Sequence, residues 1–311
     1  MTAALSIRGV TKRFGALTAA DEVSFDVPHG EIWGFIGPNG AGKTTTMRVC
    51  ATLDVPDEGE VLVEGRSAIE EPREARRRLG FMPDAYGAYA STTIAEYLDF
   101  FARAYGLDGR RRRETIRRVA EFTSLGGLME KEVTALSKGM RQRLCLAKTL
   151  LHDPAVLVLD EPAAGLDPRA RVELRELLKA LAASGKAILV SSHILSELGE
   201  MVDGVAVIER GRIRATGSMD EIARGVAHRA EVFLRALDPP EATERALLEQ
   251  PRVARVRRER DGFVFDFEGS AEEMADLVRA LVSMGLRPVA FAPRETDLED
   301  LFLRITEGKV Q

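Results

Sequence analysis

The sequence predicts an α/β fold with a mostly parallel sheet, accompanied by an antiparallel β-layer and a helical insertion and followed by a smaller C-terminal domain. Three observations support this prediction. Short strand patterns separated by turns dominate the first 66 residues. Helical patterns with little strand signal follow from Ile94 to His152. Beyond Pro154, buried strands alternate with helices, and repeated strand–helix–strand units form parallel sheets.

The composition is that of a globular chain. Of 311 residues, 45% are hydrophobic and 30% are charged, and the net charge is −5. This charge gives no overall attraction to nucleic acid or acidic lipid. The sequence shows no signal-peptide core, and no apolar run approaches the roughly 20 residues that a membrane helix needs. Cys50 and Cys145 fall in predicted helices, which favours two packed thiols over a disulfide or a metal pair.

The first part of the chain is predicted to place an antiparallel layer beside one strand–loop–helix unit. The predicted strands are residues 6–10, 22–27, 31–36 and 61–66, and the predicted helix is 44–53. The helical insertion, about residues 85–153, is predicted to hold helices at 94–105, 114–122 and 140–152. The last of these carries Met140, Leu144, Ala147 and Leu151 on one apolar face.

Regular alternation resumes after the insertion. Residues 155–159 form an unbroken apolar run, as expected for a central parallel strand. Asp167 and Pro168 predict a helix start, with the carboxylate as N-cap and proline at the first helical position. A strand at 186–191 and a hairpin of 205–209 with 212–216 complete a domain that ends near residue 225.

The remaining residues, 226–311, are predicted to form an accessory domain. The order is strand 230–237, helix 240–249, strand 253–258, strand 263–267, helix 271–284 and strand 287–291. This β-α-β-β-α-β order is the ferredoxin-like arrangement. A last helix is predicted at 297–306. The domain carries no recognisable catalytic constellation, which favours a packing or regulatory role.

A phosphate-binding loop follows the strand at 31–36. It fits the pattern G-x-x-x-x-G-K-[ST] and consists of Gly37, Pro38, Asn39, Gly40, Ala41, Gly42, Lys43, Thr44 and Thr45. Glycines let successive N–H groups point at phosphate oxygens, Lys43 supplies an ammonium, and the Thr44 hydroxyl can ligate Mg²⁺. With a strand before it and a helix after it, this loop is predicted to bind a nucleotide.

Three further polar features lie where they can serve such a site. Asp160 and Glu161 end the buried strand at 155–159, which suits a metal ligand and a base facing the attacking water; an ordinary acidic pair is the alternative. Ser137 and Gly139 begin a helix 23 residues before Asp160, where amides and a hydroxyl form an anion site or a simple cap. His193, 33 residues beyond Asp160, is a candidate γ-phosphate contact.

Together with Gly165-Leu166-Asp167, these features closely resemble the ATP-binding subunit of ABC transporters, over about residues 5–216. The resemblance implies a P-loop ABC ATPase fold that binds ATP with Mg²⁺ between two subunits, here a homodimer, arranged head to tail. Residues of both subunits would then contribute to each ATP. The implied roles are catalysis by Lys43, Glu161 and His193, metal binding by Thr44 and Asp160, adenine stacking by Phe14, dimer coupling by Asp167, and completion of the partner's site by Ser137, Gly139 and Met140.

Two departures from the family pattern affect that inference. The usual Leu-Ser-Gly-Gly-Gln signature has Lys138 and Met140 in place of the first glycine and the glutamine, while Ser137 and Gly139 remain. Asp84 stands where the family has glutamine, so a shorter anion that can ligate Mg²⁺ directly replaces an amide. We therefore expect hydrolysis to survive, with altered coupling geometry around Asp84.

Residues 296–303 resemble the C-terminal segment of ATPases that serve ABC-2 exporters, which pair with a separately encoded membrane permease. This implies a cytoplasmic subunit, peripheral on the inner face of the cell membrane, with no nucleic-acid partner. The alternatives are a soluble ABC ATPase acting on a ribosome, DNA or an iron–sulfur scaffold, and an ATPase that binds without turnover. The arginines at 110–113, 117 and 118 are expected to form a solvated helix face, with permease or headgroup contact as the alternative.

Overall fold

The computed structural model describes residues 3–84, 91–193, 198, 201–219, 221, 230–259 and 261–293. Contacts divide the chain into two compact units, residues 1–218 and 219–311. The predicted domain boundary near residue 225 and the predicted helix at 297–306 lie outside the described residues.

The strands of the first unit form two sheets. They are β1 (Leu5–Phe14), β2 (Leu17–Val27), β3 (Ile32–Ile36), β4 (Glu58–Val63), β5 (Arg66–Ser67), β6 (Leu79–Met82), β7 (Val156–Leu159), β8 (Ala187–Ser192), β9 (Gly204–Glu209) and β10 (Arg212–Ser218). The first sheet has the order β2-β1-β4-β5 and the second has the order β10-β9-β3-β8-β7-β6. This confirms the predicted combination of an antiparallel layer and a mostly parallel sheet.

The second sheet is parallel from β9 to β6, and only the edge strand β10 runs antiparallel. Every residue of β3, β7 and β8 is buried, as expected for strands covered on both faces. Ile36, the last residue of β3, lies level with Ser192 of β8 and Val207 of β9. The register therefore brings three strand ends to one edge of the sheet.

The helices of the first unit are α1 (Lys43–Cys50), α2 (Pro72–Arg78), α3 (Ile94–Ala104), α4 (Gly109–Phe122), α5 (Lys138–Leu150) and α6 (Pro168–Ala183). Helix α1 lies in the main hydrophobic core, where Met47 and Cys50 pack with residues of both sheets. Cys50 and Cys145 are both free and buried, as predicted. Helix α6 begins where expected, with the Asp167 carboxylate accepting the Ala170 N–H at 2.9 Å.

Helix α4 is longer than predicted. Its first turn starts at Gly109, five residues before the predicted start at Glu114, because the arginine run occupies exposed positions of the same helix. Its buried face consists of Thr115, Ile116, Val119 and Ala120. Arg112 is the exception among the basic residues: it is half-buried and pairs with Asp99 at 2.8 Å.

Two elements were missed by the sequence patterns, α2 and β6. Helix α2 has only seven residues and one buried side chain, Ala75, so it lacks an apolar period. Strand β6 has four residues and pairs with β7. Strand β6 forms because it pairs with β7, which is distant in sequence, whereas α2 packs on its neighbours β4, β5 and β6. They matter for the site because β6 leads directly to Asp84.

The second unit contains β11 (Ala230–Ala236), α7 (Pro240–Leu248), β12 (Val253–Glu259), β13 (Gly262–Phe267), α8 (Ala271–Ser283) and β14 (Pro288–Pro293). Its sheet has the order β12-β13-β11-β14, and all pairs are antiparallel. Helix α8 starts in a capping box formed by Ser270 and Glu273. A separate core includes Phe263, Phe265 and Leu281.

In the part of the chain that the structure describes, none of the helices combines the length and apolar character that crossing a membrane demands.

His152, just after α5, joins the helical insertion to the parallel sheet. Its ring stacks on Tyr105 with centroids 4.2 Å apart, and Nε2 lies 3.0 Å from the Leu79 carbonyl oxygen. Because a carbonyl only accepts, Nε2 carries the proton, and Nδ1 is buried without a hydrogen-bond partner among the described residues. Burial lowers the pKa of His152, and Lys186 acts in the same direction, whereas the Leu79 carbonyl and Asp153 oppose the shift.

We expect His152→Gln to make the free energy of unfolding less sensitive to acid. The folded protein resists protonation of His152, whereas the unfolded chain takes up a proton near a pKa of about 6.5, so stability falls as the pH drops through that value. Glutamine can keep the donor to Leu79 without titrating. Urea unfolding at pH 8 and pH 5.5 should show a smaller loss in the variant. Identical losses of stability in the variant and in the unmodified chain would contradict a lowered pKa of His152 in the folded protein.

Candidate active site

The loop between β3 and α1 has a backbone that only glycine permits at two points. Gly42 has φ of +108°, and a Cβ there would lie 2.2 Å from the Ala19 carbonyl oxygen of β2. A Cβ on Gly37 would lie 2.3 Å from the carbonyl oxygen of Ile208 in β9. The loop is therefore held between the two sheets, with the N-terminus of α1 directly after it. Backbone N–H groups at such a helix start are suited to phosphate.

Lys43, the first residue of α1, is 6% exposed. Its ammonium donates to the Gly37 carbonyl oxygen at 2.7 Å and lies 3.6 Å from Glu161 Oε1. Burial lowers the pKa of Lys43, and the negative charges of Glu161 and Asp160 oppose this shift. The loop curls around its own lysine, which leaves an ammonium ready to exchange these contacts for phosphate oxygens.

The acidic pair after β7 is organised by a serine from the neighbouring strand. Asp160 is 2% exposed, and its Oδ1 accepts the Ser191 hydroxyl at 2.7 Å. The same hydroxyl accepts the N–H of Glu161 at 2.9 Å. Glu161 has φ of +48°, uncommon for a residue other than glycine. Ser191 thus holds the carboxylate of Asp160 and the backbone of Glu161.

Glu161 connects the phosphate loop to the end of β8. Its Oε2 lies 2.8 Å from Nδ1 of His193, while Oε1 faces Lys43. A carboxylate accepts this hydrogen bond, so Nδ1 carries the proton and Nε2 is left for another partner. Three side chains from three separate loops therefore meet at one point.

A cleft of about 780 Å³ opens beside these residues. It brings together predicted members of the site with several residues that were not predicted. The predicted residues that line it are Phe14, Asn39, Gly40, Gly42, Lys43, Thr44, Thr45, Asp84, Glu161 and His193. The phosphate loop forms one end. At the other end Phe14 is 52% exposed, which leaves its ring available to a flat ligand.

The oxygen donors near this cleft fit Mg²⁺. The Thr44 hydroxyl and the Asp84 carboxylate line it, and the buried Asp160 lies behind Glu161 at the end of β7. Hard oxygen ligands, one or two of them carboxylates, together with substrate phosphate and water are the set that Mg²⁺ prefers. Among the described residues, no cluster of three or more histidine, cysteine, aspartate or glutamate side chains is arranged for a metal, so the protein alone is an incomplete ligand shell.

The residues predicted to serve the partner's site, together with Asp167, lie apart from the cleft lining, at the starts of α5 and α6. Gly37, Pro38, Ala41 and Asp160 do not line the cleft either. Ser137 caps α5 by accepting the Met140 N–H at 3.3 Å. A Cβ on Gly139 would lie 3.2 Å from the Ala170 Cβ, so this helix start packs beside the one that Asp167 caps. Lys138 lies across Gly165, which links the two loops. The two helix starts therefore form one surface, and none of these residues lines the cleft beside the phosphate loop.

Sequence patterns missed several residues that shape the cleft. Ser191 does not line the cleft but holds the acidic pair beside it, and a hydroxyl near the end of a buried strand requires a partner. The unpredicted residues that line the cleft are Leu17, Thr18, Ala19, Ala164, Arg210 and Gly211. They belong to the start of β2, to the segment after β7 and to the β9–β10 turn, and only the packing of the two sheets brings them to the phosphate loop.

Comparison with known proteins supports the resemblance to ATP-binding subunits of ABC transporters. Residues 20–164 match the family model described as ABC transporter. The Nod factor export ATP-binding protein I of Ralstonia nicotianae is 34% identical over 306 residues, covering 98% of this chain and 94% of the relative. The chain belongs to the family of ABC transporter ATP-binding subunits. It is an ABC ATPase of the exporter type, and the hydrolysis of ATP by such subunits drives transport.

Two further relatives agree with this family membership. The daunorubicin resistance ATP-binding protein DrrA3 of Streptomyces coeruleorubidus is 33% identical, covering 97% of this chain and 96% of the relative. A solved ATP-binding subunit of an ABC transporter superposes with a TM-score of 0.66 at 30% identity, covering 73% of this chain and 94% of that structure. The ABC ATPase fold is therefore confirmed. ATP binding follows from the family, and ATP-binding subunits of ABC exporters work with a membrane permease.

Gly42→Ala should disrupt the phosphate loop far more than Gly40→Ala. Both positions have positive φ, which costs about 1–2 kcal/mol for alanine. At Gly40 the added Cβ meets nothing within 4 Å, whereas at Gly42 it meets the Ala19 carbonyl oxygen. We expect a loss of about 3 kcal/mol or more at Gly42, together with loss of ATP binding. Urea unfolding of the two variants measures the loss of stability at each glycine. Equal losses at Gly40 and Gly42 would count against the backbone clash.

Proposed function

We propose that two copies of this chain bind two ATP molecules head to tail and use their hydrolysis to drive a separately encoded ABC-2 permease. The observation that carries the proposal is the convergence of Lys43, Glu161 and His193 at the end of one nucleotide-sized cleft. Each residue comes from a different element, and each has the chemistry that phosphoanhydride hydrolysis requires.

Glu161 is assigned as the general base. Its two oxygens pair with Lys43 and His193. When phosphate draws the Lys43 ammonium away, one oxygen of Glu161 is released to accept a proton from the attacking water. The Nδ1 N–H of His193 continues to donate to the other oxygen of Glu161. A contact of Nε2 with the γ-phosphate then requires a proton on that nitrogen as well, because phosphate oxygens only accept hydrogen bonds. The three side chains therefore change partners as one unit.

Thr44, Asp160 and Asp84 would hold Mg²⁺. The ion, when bound, neutralises negative charge on the β- and γ-phosphates. The Ser191 hydroxyl keeps Asp160 oriented by its hydrogen bond, and Asp84 follows β6, the strand next to β7. The aspartate at this position gives the site an additional anionic ligand in place of an amide.

The starts of α5 and α6 serve the partner's ATP. Ser137, Gly139 and Met140 lie at an exposed helix start that faces no phosphate of their own subunit, and Asp167 lies beside them at the cap of α6. A head-to-tail dimer would bring this surface over the neighbouring cleft. The second unit is assigned a ferredoxin-like accessory domain, supported by its β-α-β-β-α-β order and its strand order β12-β13-β11-β14.

The proposed location is the inner face of the cell membrane, where the chain lies as a cytoplasmic, peripheral subunit without a nucleic-acid partner. Relatives named for Nod factor export and daunorubicin resistance favour an export role. The cargo is selected by the permease.

Glu161→Gln should lower the turnover of ATP by about 10²- to 10⁴-fold while leaving ATP binding intact, because the amide keeps the shape of the side chain but accepts no proton. In the presence of ATP and Mg²⁺ the variant should accumulate as a dimer on size-exclusion chromatography. Glu176→Gln, at an exposed carboxylate on α6, is the control and should hydrolyse ATP like the unmodified chain. Unimpaired hydrolysis by Glu161→Gln would contradict the assignment of Glu161 as the general base.

Affinity purification of the tagged chain from gently solubilised native membranes should recover a polytopic membrane protein in a fixed ratio. The ratio expected is two ATPase chains for each complete permease. Recovery with ribosomes, DNA or an iron–sulfur scaffold from the soluble fraction would instead indicate the alternative class of soluble ABC ATPase.

A further inference from the structure

The turn that joins β9 to β10 holds an arginine at a position that disfavours it. Glu209 pairs with Arg212, so the loop consists of Arg210 and Gly211 alone. Their φ angles are +50° and +81°, the signs of a type I′ turn. Asparagine, aspartate and glycine are the usual residues at the first position, because they tolerate positive φ. Arginine has no such advantage, so turn formation does not account for Arg210.

This turn is held against both walls of the nucleotide cleft. The Gly211 N–H donates to the carbonyl oxygen of Ala41 in the phosphate loop at 2.9 Å. The Gly211 carbonyl oxygen accepts the Asp21 N–H from β2 at 2.8 Å. A Cβ on Gly211 would lie 3.2 Å from the carbonyl oxygen of Ala19. The position of residue 210 at the cleft is therefore fixed by the backbone.

Arg210 differs from the other arginines of the hairpin in its charge environment. Arg212 pairs with Asp21 at 2.6 Å, and Arg214 pairs with Glu209 at 3.0 Å. Arg210 has no carboxylate partner within the described ranges, is exposed, and is the member of the three that lines the cleft. A fixed turn thus presents an unneutralised guanidinium to the space that a nucleotide would fill.

The two ends of the cleft differ in their need for a cation. The phosphate end already has Lys43 and the start of α1. The base end is formed by Phe14 and Leu17, which pair with each other where β1 meets β2. The Lys12 ammonium lies 5.5 Å from the centroid of the Phe14 ring and covers one face of that ring. A base stacked on the opposite face of Phe14 would retain one uncovered face of its own.

We propose that the Arg210 guanidinium stacks on the base of bound ATP, on the face opposite Phe14. A planar guanidinium stacks well on aromatic rings, and the interaction is stronger where water is displaced. Arg210 is then a nucleotide-binding residue contributed by the β9–β10 turn. This inference rests on the proposal that the cleft holds the nucleotide.

Arg210→Asn is the most informative variant, because asparagine suits a type I′ turn and carries no charge. Its affinity for ATP with Mg²⁺, measured by calorimetry on the full chain, should fall about threefold to thirtyfold. Its affinity for inorganic tripolyphosphate should not change. Its thermal midpoint should equal or exceed that of the unmodified chain, which separates a loss of binding from a loss of folding.

Arg214→Ala is the matched control from the same hairpin and should leave both affinities unchanged. Equal weakening of ATP and tripolyphosphate by Arg210→Asn would place the guanidinium on phosphate and overturn the base assignment. Unchanged ATP affinity would overturn the contact altogether. Phe14→Ala tests the underlying proposal that the cleft holds the nucleotide. If this variant binds ATP with unchanged affinity, that proposal fails.

Discussion

The site depends on the parallel pairing of β3 with its two neighbours. Parallel strands end on the same edge of a sheet, so the chain leaves β3, β7, β8 and β9 at one side of the molecule. The register places Ile36 level with Ser192, one residue before the phosphate loop and one residue before His193. Residues more than 150 positions apart therefore meet without a long loop. A sheet built otherwise would separate the lysine from its histidine.

Opposite charges lie close together at this edge of the sheet. Burial disfavours the charged form of Lys43, and the nearby carboxylates of Glu161 and Asp160 offset that penalty. Because Glu161 also accepts from His193, a single carboxylate restrains both potential phosphate contacts. An incoming phosphate brings its own negative charge and competes directly with Glu161. The proposed change of partners therefore centres on Glu161.

Polar contacts hold several left-handed backbone positions at the cleft. Glu161, Arg210 and Gly42 all have positive φ, and each lines the nucleotide space. Ser191 and the Gly211 N–H hold these conformations by hydrogen bonds from neighbouring strands. Such backbone positions persist only where the surroundings determine them. The cleft is therefore preorganised by the sheets rather than by the loops that line it.

The sequence by itself determined the candidate site residues and most elements. Lys43, Asp160, Glu161 and His193 were predicted because motif spacing and strand ends are local properties, and apolar periods located most of the longer helices. Only the tertiary structure decided which turns complete the cleft. Arg210 and Leu17 carry no local signal, and their positions at the cleft follow from contacts between the sheets. Helix α2 and strand β6 were missed because they lack an apolar period. Periodicity records which face of a segment is buried, but only packing decides what that face meets.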